Sequence, residues 1–177
     1  MNPAVSKVHS ACFNAQQDCF AVATDSGIQL FNSHPAVLLR SFSREEIGGV
    51  KVTSILHRSN IIVFVGGGSY AKYPSNTVMV WDDKQQELVL EVPICFATHF
   101  NFYYYLNFMK LQDRGNQVVL AQVGSVQLVN LNNMSECASL SPRGIDAHLN
   151  EITQLALNNQ ATLLATGSTK GTVIRYD

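Results

Sequence analysis

Apolar residues in this chain fall into short runs broken by Gly, Asp, Ser and Asn, and four segments repeat one order: a strand, a turn, and a second strand closing on an aromatic or apolar residue. The first is Cys19–Thr24, Asp25-Ser26-Gly27, then Ile28–Asn32. The second is Ile61–Val65, a long Gly-rich turn, then Thr77–Asp82. The third is Val118–Ala121, a short turn at Gly124, then Ser125–Asn130. The fourth is Thr162–Ser168, Thr169-Lys170-Gly171, then Thr172–Asp177. The runs are β-branched and aromatic, which is strand and hairpin chemistry. Gly27 and Gly171 hold the same place in their turns, where a positive φ is expected and only glycine takes it without strain. No segment longer than a turn carries a sustained helical period.

A further strand precedes three of the hairpins, at Val8–Phe13, Val52–Leu56 and Ile152–Leu157, and a fourth is expected outside each. This four-strand unit resembles the blade of a WD-repeat propeller. Trp81-Asp82 stands where the WD dipeptide falls, and Tyr176-Asp177 is its counterpart. His148 stands where the Gly-His dipeptide falls, with Ala147 in place of the glycine. Trp81 is expected to pack between blades, with Asp82 capping a turn. His148 has two readings: a hydrogen bond to a strand hydroxyl that ties its blade together, or a contact to phosphate.

Composition narrows the function classes. Charged residues make up 14% of the 177 and apolar residues 46%, against about 25% charged in an ordinary soluble protein. Many side chains must therefore be buried or face other β surfaces. The net charge of −1 supplies no field for nucleic acid, so any anion site is local. No apolar run of about 18 residues occurs, so no transmembrane segment is expected. Cys12, Cys19, Cys95 and Cys137 are read as reduced thiols of a cytosolic protein. No G-x-S-x-G elbow, H-E-x-x-H helix or cluster of metal ligands occurs, and the five histidines are scattered. The chain is expected to be non-enzymatic, without catalytic residues, metal or cofactor. Gly66-Gly67-Gly68 lacks the Gly-Lys-Ser/Thr of a phosphate loop and is read as a flexible turn. Residues 95–115, with Phe96, Phe100, Phe102, Tyr103, Tyr104, Tyr105 and Phe108, keep neither strand nor helix period. They read as a disrupted blade or as an aromatic loop for a membrane or partner.

Other stretches are more specific than generic WD sequence. Leu56-His57-Arg58-Ser59-Asn60 with Gly66-Gly67-Gly68, Lys72-Tyr73-Pro74, and Val78-Met79-Val80-Trp81-Asp82-Asp83 together resemble the second blade of PROPPINs, the WIPI-type propellers of autophagy. Phe13-Asn14 to Cys19-Phe20 resembles their first blade. Gly124 to Leu131 resembles the end of their fourth, and Ala147-His148 with Lys170–Arg175 their fifth. The resemblance covers 8–94 and 116–177 and fails across 95–115.

The fold this implies is all-β, a partial WD40-type β-propeller with about four blades of an expected seven. As one domain, 1–177 divides into a first blade (1–45), a second (46–94), an irregular aromatic-rich junction (95–115), a blade remnant (116–146) and a truncated last blade (147–177). The resemblance implies binding of phosphatidylinositol 3-phosphate and phosphatidylinositol 3,5-bisphosphate, and recruitment of autophagy proteins, including a lipid-transfer protein. The place of action is the cytoplasmic face of phagophore and endosomal or vacuolar membranes. His148, Ser168, Thr172 and Arg175 match positions near the family's first lipid pocket and form an expected half-site. Asn14 lies in the loop that some members use for the lipid-transfer partner, although Phe13-Asn14-Ala15-Gln16 lacks the family's acidic residue. The family's double-arginine motif has no counterpart, since no Arg-Arg pair occurs. Impaired lipid binding is therefore expected. The alternative is a WD scaffold that binds proteins and no lipid.

Overall fold

The computed structural model describes residues 6–14, 16–93, 110–112, 117–121, 124–130, 143–150, 152–157 and 163–176. The described residues hold fifteen strands and no helix: β1 (Val8–Phe13), β2 (Cys19–Thr24), β3 (Gly27–Asn32), β4 (Val37–Phe42), β5 (Gly48–Ile55), β6 (Ile61–Ala71), β7 (Thr77–Asp82), β8 (Glu87–Pro93), β9 (Lys110–Gln112), β10 (Gln117–Ala121), β11 (Ser125–Asn130), β12 (Arg143–Asp146), β13 (Ile152–Leu157), β14 (Leu164–Ser168) and β15 (Ile174–Tyr176). They form four antiparallel sheets. Three have four strands, β1–β4, β5–β8 and β9–β12, each in sequence order, and the fourth has three, β13–β15. The chain divides into two compact units, Met1–Pro93 and Ile94–Asp177.

The first unit is built from sheets β1–β4 and β5–β8. Period-2 alternation puts Cys19, Ala21, Ala23, Ile28 and Phe42 of the first sheet against Ile62, Phe64, Met79 and Trp81 of the second. Small Ala21 and Ala23, both fully buried, leave room for the fully buried rings of Phe64 and Phe42. Burying such a ring stabilises the unit by about 1.5–3 kcal/mol. The edge of Tyr73 meets Phe64 with centroids 5.6 Å apart.

Polar ties join the two sheets as well. Arg40 Nη2 donates to Glu46 Oε1 at 2.8 Å and reaches Asp83 Oδ1 at 3.4 Å. His9 Nε2 lies 2.8 Å from Asp25 Oδ1, and the same oxygen accepts from the Ser69 amide at 2.9 Å. Trp81 packs in the core between the sheets, as its place in the repeat predicts. Its indole Nε1 is buried and finds no hydrogen-bond partner among the described residues. Asp82 Oδ1 accepts from the amides of Lys84 at 2.8 Å and Gln85 at 3.2 Å, and so caps the β7–β8 turn as expected.

One reading is corrected. Gly66-Gly67-Gly68 is no flexible turn but the middle of β6, which runs unbroken to Ala71. The physical reason is close approach: a Cβ at Gly66 would stand 2.0 Å from the Tyr73 carbonyl oxygen. Glycine is what lets that strand pass. The expected positive φ is present at Gly27 (131°) and Gly171 (66°).

In the second unit, Val126, Ala147, Ile152, Leu155 and Leu164 form a small core drawn from both of its sheets. The stretch read as a blade remnant carries β10, β11 and β12, which pair with β9 into a four-stranded sheet. The aromatic run from Phe96 to Phe108 lies outside the described residues, as do Cys95 and Cys137.

Candidate functional site

The residues singled out near the end of the chain come together. His148, Ser168, Thr172 and Arg175 line one open cavity of about 160 Å³, joined by Asn150 and Lys170. The backbone explains the convergence. β14 and β15 pair antiparallel with Thr166 opposite Arg175, so both side chains project from the same face. The turn between these strands closes on the Gly171 amide, which donates to the Ser168 carbonyl at 2.9 Å. That turn sets exposed Lys170 and Thr172 beside the cavity.

His148 reaches the same place from the loop before β13. Its amide and that of Ala147 both donate to the Gly124 carbonyl, at 2.7 and 3.0 Å. The loop rests so closely on Gly124 that a Cβ there would stand 2.2 Å from the His148 carbonyl oxygen. The imidazole then turns to β14: Nε2 lies 3.0 Å from Thr166 Oγ1 and 3.2 Å from the Thr166 carbonyl oxygen. Thr166 is 1% exposed. This is the strand-hydroxyl tie.

The site combines two cations, Lys170 and Arg175, with the hydroxyls of Ser168 and Thr172. Such a set suits a phosphate oxygen. Lys170 and Asn150 were missed as site residues in the sequence. The signal for Lys170 was present, since a turn of the form Thr169-Lys170-Gly171 places its middle residue at the strand end.

Asn14 is placed differently. Its side chain is 3% exposed and turned inward. Its Oδ1 accepts from the amides of Asp18 and Cys19 at 3.1 and 3.2 Å, and its Nδ2 donates to Asp18 Oδ1 at 2.6 Å and to the His57 carbonyl at 3.3 Å. The amide therefore staples its own loop and ties it to the β5–β6 turn. The exposed groups there are Gln16 and Gln17. The Asn14 hydrogen bond, with Arg58 also close, holds the Asp18 carboxyl below its ordinary value despite an opposing effect of burial. Burial, followed by the Asp18 charge, pushes the Cys19 thiol up.

A second tie of this kind was missed in the sequence. His9 and Asp25 pair across the end of the first sheet, with side chains 6% and 15% exposed. A His ahead of the first hairpin and an Asp in its turn were both legible, but their pairing was not. Among the described residues, no group of three His, Cys, Asp or Glu could hold a metal ion. No helix there is long and apolar enough to cross a membrane.

Comparison with known proteins gives the class first. The chain is similar in structure to KlHsv2 with loop 6CD replaced by a Gly-Ser linker, at TM-score 0.59 and 19% identity, covering 97% of this chain and 62% of that one. The fold is therefore part of a β-propeller. In sequence the chain is similar to SVP1-like protein 2 of Schizosaccharomyces pombe, 30% identical over 206 residues that cover 97% of this chain and 55% of that protein. It is also similar to SVP1-like protein 2 of Pichia angusta, 29% identical over 204 residues, 95% of this chain and 56% of that protein. The chain thus spans about half the length of these relatives. No family model matches it.

Proposed function

We propose that this chain is a PROPPIN-type adaptor of autophagy: a non-enzymatic, peripheral protein of the cytoplasm. It acts at phagophore and endosomal or vacuolar membranes through phosphatidylinositol 3-phosphate or phosphatidylinositol 3,5-bisphosphate, and recruits autophagy proteins, including a lipid-transfer protein. One observation carries the reading. His148, Ser168, Thr172 and Arg175, the positions that the family resemblance marks, line a single cavity with Lys170 at its edge. Similarity to SVP1-like protein 2 supports it.

The cavity's size argues for a half-site. At about 160 Å³ it falls below the roughly 300 Å³ at which small-molecule pockets begin. It holds a phosphate group rather than a whole inositol ring with its phosphates. A polyphosphorylated headgroup needs paired guanidinium forks, and the 177 residues contain no Arg-Arg pair. Binding by this chain alone is therefore weak.

Liposome flotation tests the reading, with and without phosphatidylinositol 3-phosphate in the vesicles. The chain runs beside the same chain extended by an Arg-Arg-Gly segment, and beside Arg175→Ala in each background. The expected result is that the extended form floats, that Arg175→Ala reduces its flotation, and that the 177-residue form floats little. Flotation that ignores both the extension and Arg175→Ala overturns the assignment of the site. The second reading, a WD scaffold without lipid binding, is favoured by the missing arginine pair and the net charge of −1. It takes over if neither form floats while both are folded.

A further inference from the structure

A larger cavity lies in the other unit. It measures about 470 Å³ at one end of sheet β1–β4, within the roughly 300–1,000 Å³ of small-molecule pockets. The register of the sheet gathers its walls. Val8 pairs with Thr24, and Gln29 with Ser41. The turns add Ser26, Ser43 and Arg44, and Ser6 closes it from ahead of β1. The lining is rich in hydroxyls and holds no carboxylate.

Glu45 lies beside the pocket, its carboxyl held below the ordinary value by its own backbone amide, the Ser43 hydroxyl and the Arg44 charge, while two other nearby carboxylates are committed elsewhere. Asp25 is held by His9 and by the Ser69 amide. Glu46 accepts from Arg40 at 2.8 Å and from the Ser43 amide at 2.7 Å. Some of the lining hydroxyls are engaged with each other: Ser6 Oγ donates to Ser26 Oγ at 3.0 Å, and Thr24 Oγ1 donates to the Gly27 carbonyl at 3.0 Å. The side chains of Gln29 and Ser41 have no hydrogen bond among the described residues.

Arg44 supplies the charge, and it is pre-positioned. Its guanidinium carbon sits 3.6 Å from the centroid of the Tyr70 ring. Stacking uses the flat face of the guanidinium and leaves the N–H donors at its edge free, the arrangement that grips phosphate in a fork. A fixed arginine fork, a free amide and several hydroxyls in one pocket are complementary to a phosphate carried on a hydroxylated body.

We propose that this cavity binds a small phosphate monoester bearing hydroxyl groups, of the sugar-phosphate or inositol-phosphate class, with Arg44 on the phosphate and Gln29 and Ser41 on the hydroxyls. The site lies outside the His148 cavity and does not depend on it. The same chemistry could come from a soluble ester or from a lipid headgroup.

Calorimetric titration of the full chain with glucose 6-phosphate and with myo-inositol 1-phosphate tests the site. Flotation with vesicles carrying phosphatidylinositol 4-phosphate separates the membrane source from the soluble one. Binding in any of these arms is expected to weaken about tenfold or more in Arg44→Gln, the loss of a charge-assisted hydrogen bond. Tyr70→Ala is expected to weaken it about two- to fivefold by freeing the arginine. Ser41→Leu, at an exposed position, fills the cavity and abolishes binding without touching the core. Lys84→Gln, which removes one positive charge from an exposed turn, leaves it unchanged. The proposal is overturned if no arm shows binding, or if folded Arg44→Gln and Ser41→Leu bind like wild type.

Discussion

The tie between His148 and Thr166 is the structural claim on which the second unit's site most depends, and Thr166→Val isolates it. Valine keeps the shape of threonine and removes the hydroxyl, so the buried volume is unchanged while His148 Nε2 loses its partner at 3.0 Å. A hydrogen bond of this kind contributes about 0.5–1.5 kcal/mol, and a buried group left wholly unsatisfied costs about 1–3 kcal/mol. The Thr166 carbonyl still lies 3.2 Å from Nε2, so the loss is partly compensated and should fall near 1–2 kcal/mol. That corresponds to a factor of about 5–30 in a local opening equilibrium. Hydrogen exchange followed by mass spectrometry reads it directly: peptides from β13 and β14 should exchange about 5–30 times faster, while those from β2 and β6 in the other unit stay as in wild type. Unchanged exchange in β13 and β14 would mean that the imidazole does not hold the strand. Uniform acceleration in both units would mean that the effect is global and that the argument from this one hydroxyl is wrong.

Two further outcomes follow from the first unit, where the sole tryptophan, Trp81, reports unfolding. Gly66→Ala sets a Cβ 2.0 Å from the Tyr73 carbonyl oxygen, so it should cost about 1–3 kcal/mol and lower the urea midpoint read by Trp81 fluorescence; an unchanged midpoint would refute the close approach. Asp82 is buried, which opposes ionisation, but hydrogen bonds from Asn60, Gln85 and the turn amides outweigh this and hold its carboxyl below the ordinary 3.8. The unfolded chain therefore binds the proton more tightly than the folded one, so this contribution is present above about pH 4 and lost as pH falls through the folded value. Asp82→Asn should flatten the acid limb of the urea midpoint against pH, and an identical acid limb in the variant would remove Asp82 from that role.

Local patterning carried much of the fold. The runs at Cys19–Thr24, Thr77–Asp82 and Ser125–Asn130 became strands with those ends, because β-branched alternation and turn glycines act within a few residues. Strand β6 outran its reading because three glycines look like a turn to any local rule, and only the carbonyl of Tyr73 on the returning chain explains them. Asn14 was legible as a loop residue but not as a buried one, since its partners include His57, far along the chain. The four residues of the His148 cavity were found through their resemblance to a family pattern, and the strand pairing of Thr166 with Arg175 accounts for their convergence. The Arg44 cavity had no such signal. Its walls come from separate stretches between Ser6 and Arg44 that only the register of β1–β4 brings side by side.

The pairing of His9 with Asp25 also settles a matter of alignment. Gly66, Gly67 and Gly68 give β6 no side chains with which to sense its position against β5, and strands of that kind are prone to slip along their neighbours. The pairing between β5 and β6 is already irregular here, shifting between Gly48 and Val50 and again between Val50 and Val52. Asp25 belongs to the other sheet, yet its carboxylate accepts from the Ser69 amide just past the glycines, and it fills the space that a Cβ at Gly68 would need. A one-residue slip that brought Ser69 into the place of Gly68 would leave that carboxylate without its amide and drive it into a side chain. The neighbouring sheet thus works as a key that indexes the glycine strand.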